Sequence, residues 1–524
     1  MIIRNRIYLC ILVIFLMSSN VFGSSPMDYV KAPVKLVKKP IGFVKGLFSS
    51  KKEKKTKVAE VLTNEPGNED QKRKHFENGY ALFSEENYYD AAIELYRFLS
   101  ASSPDEDDYE WAQFFFGISL NRLNYSHAAI DVLGNLVIRK PNPKIVSYCF
   151  ELFEQNISTL PHDEDFIVNQ VVGDQDYGFV EGGIADFVNY LQGSYDWEHK
   201  FFEWGNEHFQ KIRPTSTYYF KHLYKQALYS VYKGDIDEAI NYLNTILKSD
   251  YPSTDLKDET RKTLARLLYE KGQYDEADMI YAQIQKSIIA QSENLLERAW
   301  VHYRLGHNER AMGLLYSFQA PSFRNAFRPE YFILKSFIYK DVCHYKNALS
   351  VVYEFKDRYG DALEKLYERS LPQENDALML VLLNKPEISR IYKFLKLLEK
   401  ELAACQLISD EALRVYLVKI YDLQIEESRE KLRKLINDDY EVIANDLLKY
   451  EEDANLMEYE IGLDMYQRVY ESHYTDENTI KEKVEKGLAY YQFQGEFWND
   501  ELATYEVSLP NKCENMEEWD VFFK

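Results

Sequence analysis

Along most of the chain after residue 72, apolar residues recur at steps of three and four, the spacing of one face of an α-helix. The segments with this spacing are about a dozen residues long, and they follow one another in pairs joined by short polar turns. Gly and Pro number 21 and 15 among 524 residues, too few for the frequent turns of a many-stranded sandwich or propeller. The pattern therefore predicts an all-α chain.

One short motif returns at the turn within each pair. It is N-Y-x-x-A-A-I at 87–93, with related forms beginning at residues 124, 234, 272, 306 and 344. A small residue marks its period, which is nearly constant where the register is unbroken: Ala91 and Ala129, then Ala239, Ala277, Ala311 and Ala348. Another small residue stands 12 positions before each of these: Gly79, Gly117, Ala227, Ala265, Ala299 and Ser336.

The two small residues have a physical explanation, because antiparallel helices approach closely only where the side chains at their crossing are small. We therefore expect each small pair to mark a crossing. Larger apolar residues four positions after the second small residue are expected to pack against the following helix: Leu95, Leu133, Leu243, Tyr281, Leu315 and Val352. Prolines stop or follow several second helices, as Pro141 and Pro104 do.

This order of small residue, 12-residue step, alanine, aliphatic residue and proline resembles the tetratricopeptide repeat, or TPR. The resemblance covers 72–143 and 215–360, and it implies an α-solenoid of helix-turn-helix units followed here by long C-terminal helices. Two features depart from the TPR consensus. His75 replaces Trp at the first aromatic position of the first repeat, and three of the four intact spacings are longer than the consensus period.

The resemblance also implies a concave groove that binds a partner protein, lined by four positions on the first helix of each unit. At these positions the chain has Phe76, Tyr80, Phe83, Trp111, Phe114, Asn121, Lys221, Tyr224, Lys262, Arg266, Tyr269, Trp300, Tyr303, Phe337 and Lys340. Aromatic residues and Arg are enriched at interface hot spots, so the groove is expected to accept an extended or helical peptide. Lys262 and Arg266 are expected to hold a carboxylate. The alternatives are that the aromatic residues pack between repeats and that the two basic residues are ordinary surface charge.

Residues 144–214 interrupt the register, and they contain either two degenerate repeats or an inserted functional loop. Glu198-His199 and Glu207-His208 are the nearest approach to a metal-ligand set. Nine residues apart on one helix, the two dipeptides would face opposite sides, so we expect solvated polar residues there.

Catalytic motifs are absent from the sequence, which has no G-x-S-x-G, H-E-x-x-H, P-loop or G-x-G-x-x-G. The sequence therefore predicts no catalytic residue, no metal and no cofactor. An exported enzyme with its site in 144–214 or in the C-terminal tail is the alternative from a different functional class.

The C-terminal region, 361–524, keeps a helical period without the TPR signature. Helices are expected over 388–405 and 477–492. Between them, 410–472 contains no Gly or Pro before Gly462, which predicts one very long helix or a hairpin of two. The tail around 503–509 is expected to form a short strand or an extended segment that packs back onto the helices.

The first 23 residues resemble a secretory signal peptide, with Arg4 and Arg6 before an apolar run from residue 7 to 17. They predict export, to a bacterial periplasm, with an uncleaved membrane anchor as the alternative. Disulfides persist in such a compartment. Four cysteines remain after the signal, and for them we favour single buried thiols: Cys149, Cys343, Cys405 and Cys513.

Residues 24–71 form a basic linker. Positions 24–57 carry a net charge of +8 and residues 1–23 carry +2, which leaves −32 for the rest of a chain whose total is −22. Apolar residues in the linker recur at alternating steps of four and three: Val30, Val34, Val37, Ile41, Val44 and Phe48. The linker is either flexible and solvated, or it orders on an anionic membrane surface or in an acidic groove through residues that include Lys31, Lys35, Lys38, Lys39 and Lys45.

Function is constrained by charge as well as by repeats. A strongly acidic body excludes nucleic acid as the main partner, because phosphate binding needs clustered Lys and Arg. Taken with the TPR resemblance and the export signal, the sequence predicts a non-enzymatic scaffold that binds protein partners in the cell envelope. A self-assembling structural component, with the helices after residue 388 forming the contact, is the alternative.

Overall fold

The computed structural model describes residues 69–106, 108–162, 166–173, 175–284, 288–323, 326–469 and 503–513. The predicted signal peptide, positions 24–68 of the predicted linker and the predicted helix 477–492 lie outside these ranges. Positions 69–71, which we had assigned to the linker, lie in the first helix. Every regular element within them is helical, which confirms the all-α prediction. The chain divides into two compact units, and each is described by itself.

The first unit comprises Met1–Asp235, Lys248–Ser253 and Leu383–Ile436. Its helices before residue 235 are α1 (Glu69–Ser84), α2 (Tyr88–Ala101), α3 (Tyr109–Arg122), α4 (Ser126–Ile138), α5 (Pro143–Thr159), α6 (Ile184–Glu198), α7 (Phe202–Gln210) and α8 (Thr217–Lys233), with a π-helical segment (Phe166–Val172) after α5. The pairs α1–α2, α3–α4 and α6–α7 each pack side by side.

The second unit comprises Ile236–Leu247, Thr254–Leu382 and Asn437–Lys524. Its helices are α9 (Ile236–Lys248), α10 (Thr254–Glu270), α11 (Tyr274–Tyr281), α12 (Ile288–Arg304), α13 (Asn308–Tyr316), α14 (Pro329–Asp341), α15 (Tyr345–Tyr367) and α16 (Asp376–Asn384). Helices α10–α11, α12–α13 and α14–α15 form its side-by-side pairs. Paired helices therefore recur within each unit, as the TPR resemblance implies.

Two longer helices complete the described chain. They are α17 (Pro386–Cys405) and α18 (Glu411–Val469), the latter a single helix of 59 residues. The single-helix alternative for this region is therefore correct, and the hairpin is not formed. Part of α18, up to Ile436, belongs to the first unit, and the part from Asn437 belongs to the second.

A left-handed residue recurs in the turn within each helix pair and in the turn between α8 and α9, always five positions before the small residue of the following helix. Its φ lies between 60° and 88° at each site: Glu86, Asn124, Lys200, Gly234, Gly272, Gly306 and Cys343. Gly suits this conformation because it has no Cβ. Lys200 lies in the α6–α7 turn, so a helix pair inside 144–214 has the same turn in the same register.

The glycines of three first helices lie against large side chains of their partner helices. A Cβ on Gly79 would stand 2.7 Å from Leu95 Cγ, and one on Gly117 would stand 2.5 Å from Leu133 Cδ2. Our expectation that these leucines pack against the following helix was therefore incomplete, because they contact the first helix of their own pair. In the α6–α7 pair, Phe209 has the same relation to Gly193.

Helices α17 and α18 cover the second helices of the first two pairs. The Glu401 carboxylate accepts hydrogen bonds from the Tyr421 hydroxyl at 2.7 Å and from the His127 backbone N–H, at the start of α4, at 3.2 Å. Arg97, on α2, is paired with Asp410 at 2.8 Å. An exposed binding face in these pairs must therefore come from the first helices.

The cysteines correct one of our expectations. Cys343 and Cys513 form a disulfide, so single buried thiols remain only at Cys149 and Cys405. The reason is packing of the tail, because residues 503–513 lie against α13 and end beside the α14–α15 turn that contains Cys343. There Arg310 donates to the Tyr505 carbonyl at 3.2 Å.

The tail segment 503–513 contains no strand, so the extended alternative describes it. Its Val507 N–H donates to the Glu309 carbonyl at 3.3 Å, and its Lys512 N–H donates to the Val342 carbonyl at 3.0 Å. These bonds tie the segment to the second helix of the α12–α13 pair and to the turn after α14.

Candidate functional site

Six aromatic side chains form a continuous surface on the first helices of the first unit. We call this surface the aromatic ridge, and its members are Tyr80 and Phe83 from α1, Trp111, Phe114 and Phe115 from α3, and Tyr148 from α5. Phe115 stands at the centre, with its ring centroid 5.2 Å from Tyr80, 4.9 Å from Phe83 and 5.8 Å from Trp111. Phe114 continues the ridge to Tyr148 at 6.2 Å.

The ridge is open to solvent along its length. Tyr80 is 50% exposed, Trp111 39% and Tyr148 56%, while the phenylalanines between them are partly buried. The phenylalanine rings hold the three exposed rings in place through the contacts above. Large aromatic groups fixed in this way give a partner apolar area at little cost in side-chain entropy.

The other four predicted groove residues of the first unit make contacts within the chain instead. Phe76 lies 5.4 Å from Phe98 between α1 and α2, and Asn121 accepts a hydrogen bond from Asn156 at 3.0 Å. Tyr224 is 2% exposed, so its place in the predicted groove is wrong: its ring packs in the core of the protein. Lys221, beside it on α8, lies 5.1 Å over the Tyr218 ring.

The predicted basic pair of the second unit is already bound to carboxylates of the chain. Lys262 Nζ lies 2.8 Å from Glu293, and Arg266 pairs with both Glu293 at 2.8 Å and Glu297. The glutamates come from α12, the first helix of the next pair. Lys262 and Arg266 therefore join two neighbouring helices, which corrects both the carboxylate clamp for a partner and the alternative of ordinary surface charge.

The pKa values of the buried groups around Arg266 depend on two opposing effects, burial and pairing with groups of opposite charge. Burial lowers the pKa of Arg266, but the carboxylates of Glu297 and Glu293 more than offset it and hold the pKa well above its usual value. Burial, together with the nearby Glu297 carboxylate, raises the pKa of Glu330 to about 7. The folded protein therefore favours the protonated form of Glu330, which lies on α14.

The remaining predicted groove residues of the second unit carry internal contacts. Tyr269 accepts a hydrogen bond from Arg304 at 3.1 Å, and Tyr303 donates to Asp341 at 2.7 Å. The Trp300 ring lies 5.8 Å from that of Tyr303. Phe337 is partly buried, and Lys340 pairs with Glu460 at 2.5 Å. All of them are partly buried, unlike the exposed rings of the ridge.

The candidate metal-ligand set in 144–214 is not assembled. Helix α6 ends at Glu198 and α7 begins at Phe202, so the two dipeptides do not share a helix as we had assumed. His199 bonds to the Tyr195 carbonyl and His208 to Asn189. In the part of the chain that the structure describes, no group of three or more His, Cys, Asp or Glu residues is placed to hold a metal ion.

Sequence reasoning missed Phe115 and Tyr148. Phe115 falls between the four groove positions of each unit, and Tyr148 lies where the repeat register is lost. The sequence does contain a signal for a repeat around Tyr148, because Gly193 and Gly205 are separated by the same 12-residue step as the small residues of the other pairs. Gly205 also follows Ala129 at twice the distance that separates Ala91 from Ala129. These two spacings would have extended the repeats through 144–214.

Over the described ranges, no helix is both long enough and apolar enough to cross a bilayer. No model of a known protein family matches the chain, and no curated protein matches it significantly. Among solved structures, a tetratricopeptide repeat protein from Parabacteroides merdae ATCC 43184 matches over 55% of this chain and 93% of its own, at 14% identity and a TM-score of 0.23. The TPR domain of P58(IPK) matches over 74% and 98%, at 13% identity and a TM-score of 0.20. The features of this chain that match a TPR-type repeat are the helix pairs, the left-handed turns and the glycine crossings described above.

Proposed function

We propose that this protein is a non-enzymatic scaffold that binds a partner protein through the aromatic ridge. The observation that carries the proposal is the continuity of the ridge: six rings in contact run across three successive first helices, with three of them more than one-third exposed. Exposed contiguous apolar surface on a folded protein marks an interaction site. The second helices α2 and α4 are covered by α17 and α18, so the ridge is the face of these pairs that a partner can reach.

We further propose that the scaffold works in the cell envelope, in a complex for secretion, motility, outer-membrane assembly or wall remodelling. The signal-like pattern of residues 1–23 supports export, and so does the disulfide between Cys343 and Cys513, because such bonds persist in oxidising compartments. The basic linker offers a second attachment, to an anionic membrane surface or to protein.

The test is capture of partners from the native envelope by cross-linking and mass spectrometry, using the wild-type chain and two matched variants. The first variant replaces Tyr80, Trp111 and Tyr148 by Ala. The second, a control, replaces Trp204 and Tyr232 by Ala. Both are 60% exposed and lie outside the ridge. We expect a partner that the control variant retains and the ridge variant loses. Equal capture by both variants would rule out the ridge as the binding site.

A further inference from the structure

The C-terminal part of α18, within the second unit, exposes an apolar stripe along one side of the helix. Leu456, Tyr459 and Leu463 are 53%, 64% and 41% exposed, and they are spaced by three and four residues, so they lie along one face. Met457 and Ile461, on the opposite face, are buried. We call the three exposed residues the α18 stripe.

Acidic residues surround the α18 stripe. Between residues 450 and 466 there are six of them and no Lys or Arg: Glu451, Glu452, Asp453, Glu458, Glu460 and Asp464. Three are bridged to two lysines on neighbouring helices of the unit. Lys340 pairs with Glu460 at 2.5 Å and with Asp464 at 3.8 Å, and Lys356 pairs with Glu458 at 2.5 Å. These bridges fix this part of α18 against α14 and α15, and they leave the acidic residues in excess along the stripe.

Gly462 lies beside the α18 stripe and faces open space. A Cβ built on it would meet no heavy atom within 4 Å, so packing inside the chain does not require glycine there. Gly in a helix interior destabilises the helix by about 1 kcal/mol relative to Ala. A glycine beside an exposed apolar stripe leaves room for another backbone to approach closely.

The chain carries one segment whose chemistry is complementary to this surface. In the basic linker, the six apolar residues follow alternating steps of four and three, the same spacing as the α18 stripe. Positions 24–57 carry +8, against the excess of carboxylates along the stripe. Burying the apolar residues and bringing the lysines beside carboxylates would stabilise the same complex.

We propose that residues 24–57 of a second copy of this chain dock on the α18 stripe, so that copies associate head to tail. Each copy offers one basic segment and one acidic stripe, which makes the contact heterologous and able to continue from copy to copy. Pro33 and Pro40 disfavour a helix in this sequence, so fixing it on the stripe has an entropic cost and the expected affinity is moderate. The proposal does not depend on the aromatic ridge.

The first test is carbodiimide cross-linking of the purified full-length chain, prepared as an equal mixture of 15N-labelled and unlabelled protein. We expect cross-links between lysines of the basic linker and Glu452 or Asp464, with labelled–unlabelled pairs among them. Links confined to single copies, or no links to α18, would overturn the proposal. Binding of the linker to anionic phosphatidylglycerol vesicles without any link to α18 would also overturn it, in favour of a membrane role.

Sedimentation of variants provides the second test. Leu456→Asp and Gly462→Leu should each weaken self-association at least about tenfold, as should raising the salt to about 0.5 M. Met279→Asp is the matched control, since Met279 is 59% exposed on α11 and should leave association unchanged. Gly462→Ala tests folding separately, because it should raise helix stability while leaving room for docking. Association that survives both Leu456→Asp and Gly462→Leu would contradict the proposal.

Charge reversal makes the test specific. Replacing Lys35, Lys38 and Lys39 by Glu should abolish association, and a partner copy carrying Glu452→Lys should restore part of it when the two are mixed. Circular dichroism would first show that both variants are folded. If the variant with Glu at 35, 38 and 39 then fails to bind the Glu452→Lys variant, the segment does not dock on the α18 stripe and the proposal is wrong.

Discussion

Leu95 fills the space that a side chain on Gly79 would need, with its Cγ 2.7 Å from the position of the missing Cβ. Both residues are fully or almost fully buried, and they join α1 to α2 where the two helices cross. The same relation links Leu133 to Gly117 and Phe209 to Gly193. The crossing of each of these pairs is therefore fixed by one glycine and one large side chain.

Gly117→Ala should destabilise the protein, because the new methyl group would overlap with Leu133, which is 0% exposed and cannot move aside. We expect a loss of about 1–3 kcal/mol in the free energy of unfolding, measured by urea denaturation. Gly360→Ala is the control, since a Cβ there meets open space and should stabilise α15 by up to about 1 kcal/mol. Equal effects of the two changes would contradict this account of the crossing.

Lys200→Gly should stabilise the first unit. The φ of Lys200 is 66°, a conformation that strains a residue with a Cβ and that glycine adopts without penalty. The expected gain is about 1 kcal/mol in thermal or urea unfolding. Gly272→Ala, at the equivalent turn with φ of 77°, should cost about the same amount. A loss on Lys200→Gly would mean that its side chain contributes more than its backbone conformation costs.

Glu330 should make the free energy of unfolding decrease as the pH rises from about 5 to about 7. Burial raises the pKa of this carboxyl to about 7, so the folded state favours its protonated form. Its contribution is full below the ordinary pKa near 4.5 and is lost as the pH rises through about 7. Arg328 and Arg266 oppose the shift and Glu297 adds to it. Glu330→Gln should remove about 2 kcal/mol of this pH dependence in urea titrations between pH 5 and 8, while Glu452→Gln should not.

Tyr421→Phe should loosen the attachment of α17 and α18 to α4. The hydroxyl donates at 2.7 Å to Glu401, a buried carboxylate that would lose a donor it cannot replace with water. The expected cost is about 1–3 kcal/mol in unfolding. Hydrogen exchange should show faster exchange in α17, and unchanged exchange there would mean that the apolar contacts suffice.

Alkylation of the unfolded, unreduced protein should modify Cys149 and Cys405 but not Cys343 or Cys513. The disulfide encloses a sequence separation of 170 residues, so its reduction should destabilise the protein by up to about 4–5 kcal/mol on the chain-entropy account. Mass spectrometry of alkylated peptides gives the pairing directly. Modification of all four cysteines before reduction would show that the bond does not form.

The repeat was predictable because its determinants are local. The small residue, the 12-residue step and the motif at the turn all lie within one helix pair, and the sequence shows them without knowledge of distant contacts. The π-helical segment after α5 was not predicted, because no residue pattern in 166–172 distinguishes it from loop or α-helix. The long helix α18 was open to two interpretations, since an absence of Gly and Pro does not distinguish one helix from two.

Contacts between distant parts of the chain were not predictable. Lys262 and Arg266 appeared as a basic spot because their partners, Glu293 and Glu297, lie 27 to 31 residues later on another helix. The pairing of Cys343 with Cys513 depends on where the tail lies, which spacing cannot show. Glu401, whose bonds to Tyr421 and His127 attach α17, gives no sequence signal that separates it from an ordinary surface glutamate.

The left-handed turn has a consequence for how this chain can change in length. The left-handed turn and the 12-residue step are the same in each helix pair, so the length between the two small residues of a pair is constant. The variation of the repeat period therefore falls in the connections between one pair and the next. Insertions, tags or whole duplicated pairs should therefore be tolerated at those connections. A single residue added inside a turn such as 84–88 would rotate the second helix away from its crossing glycine.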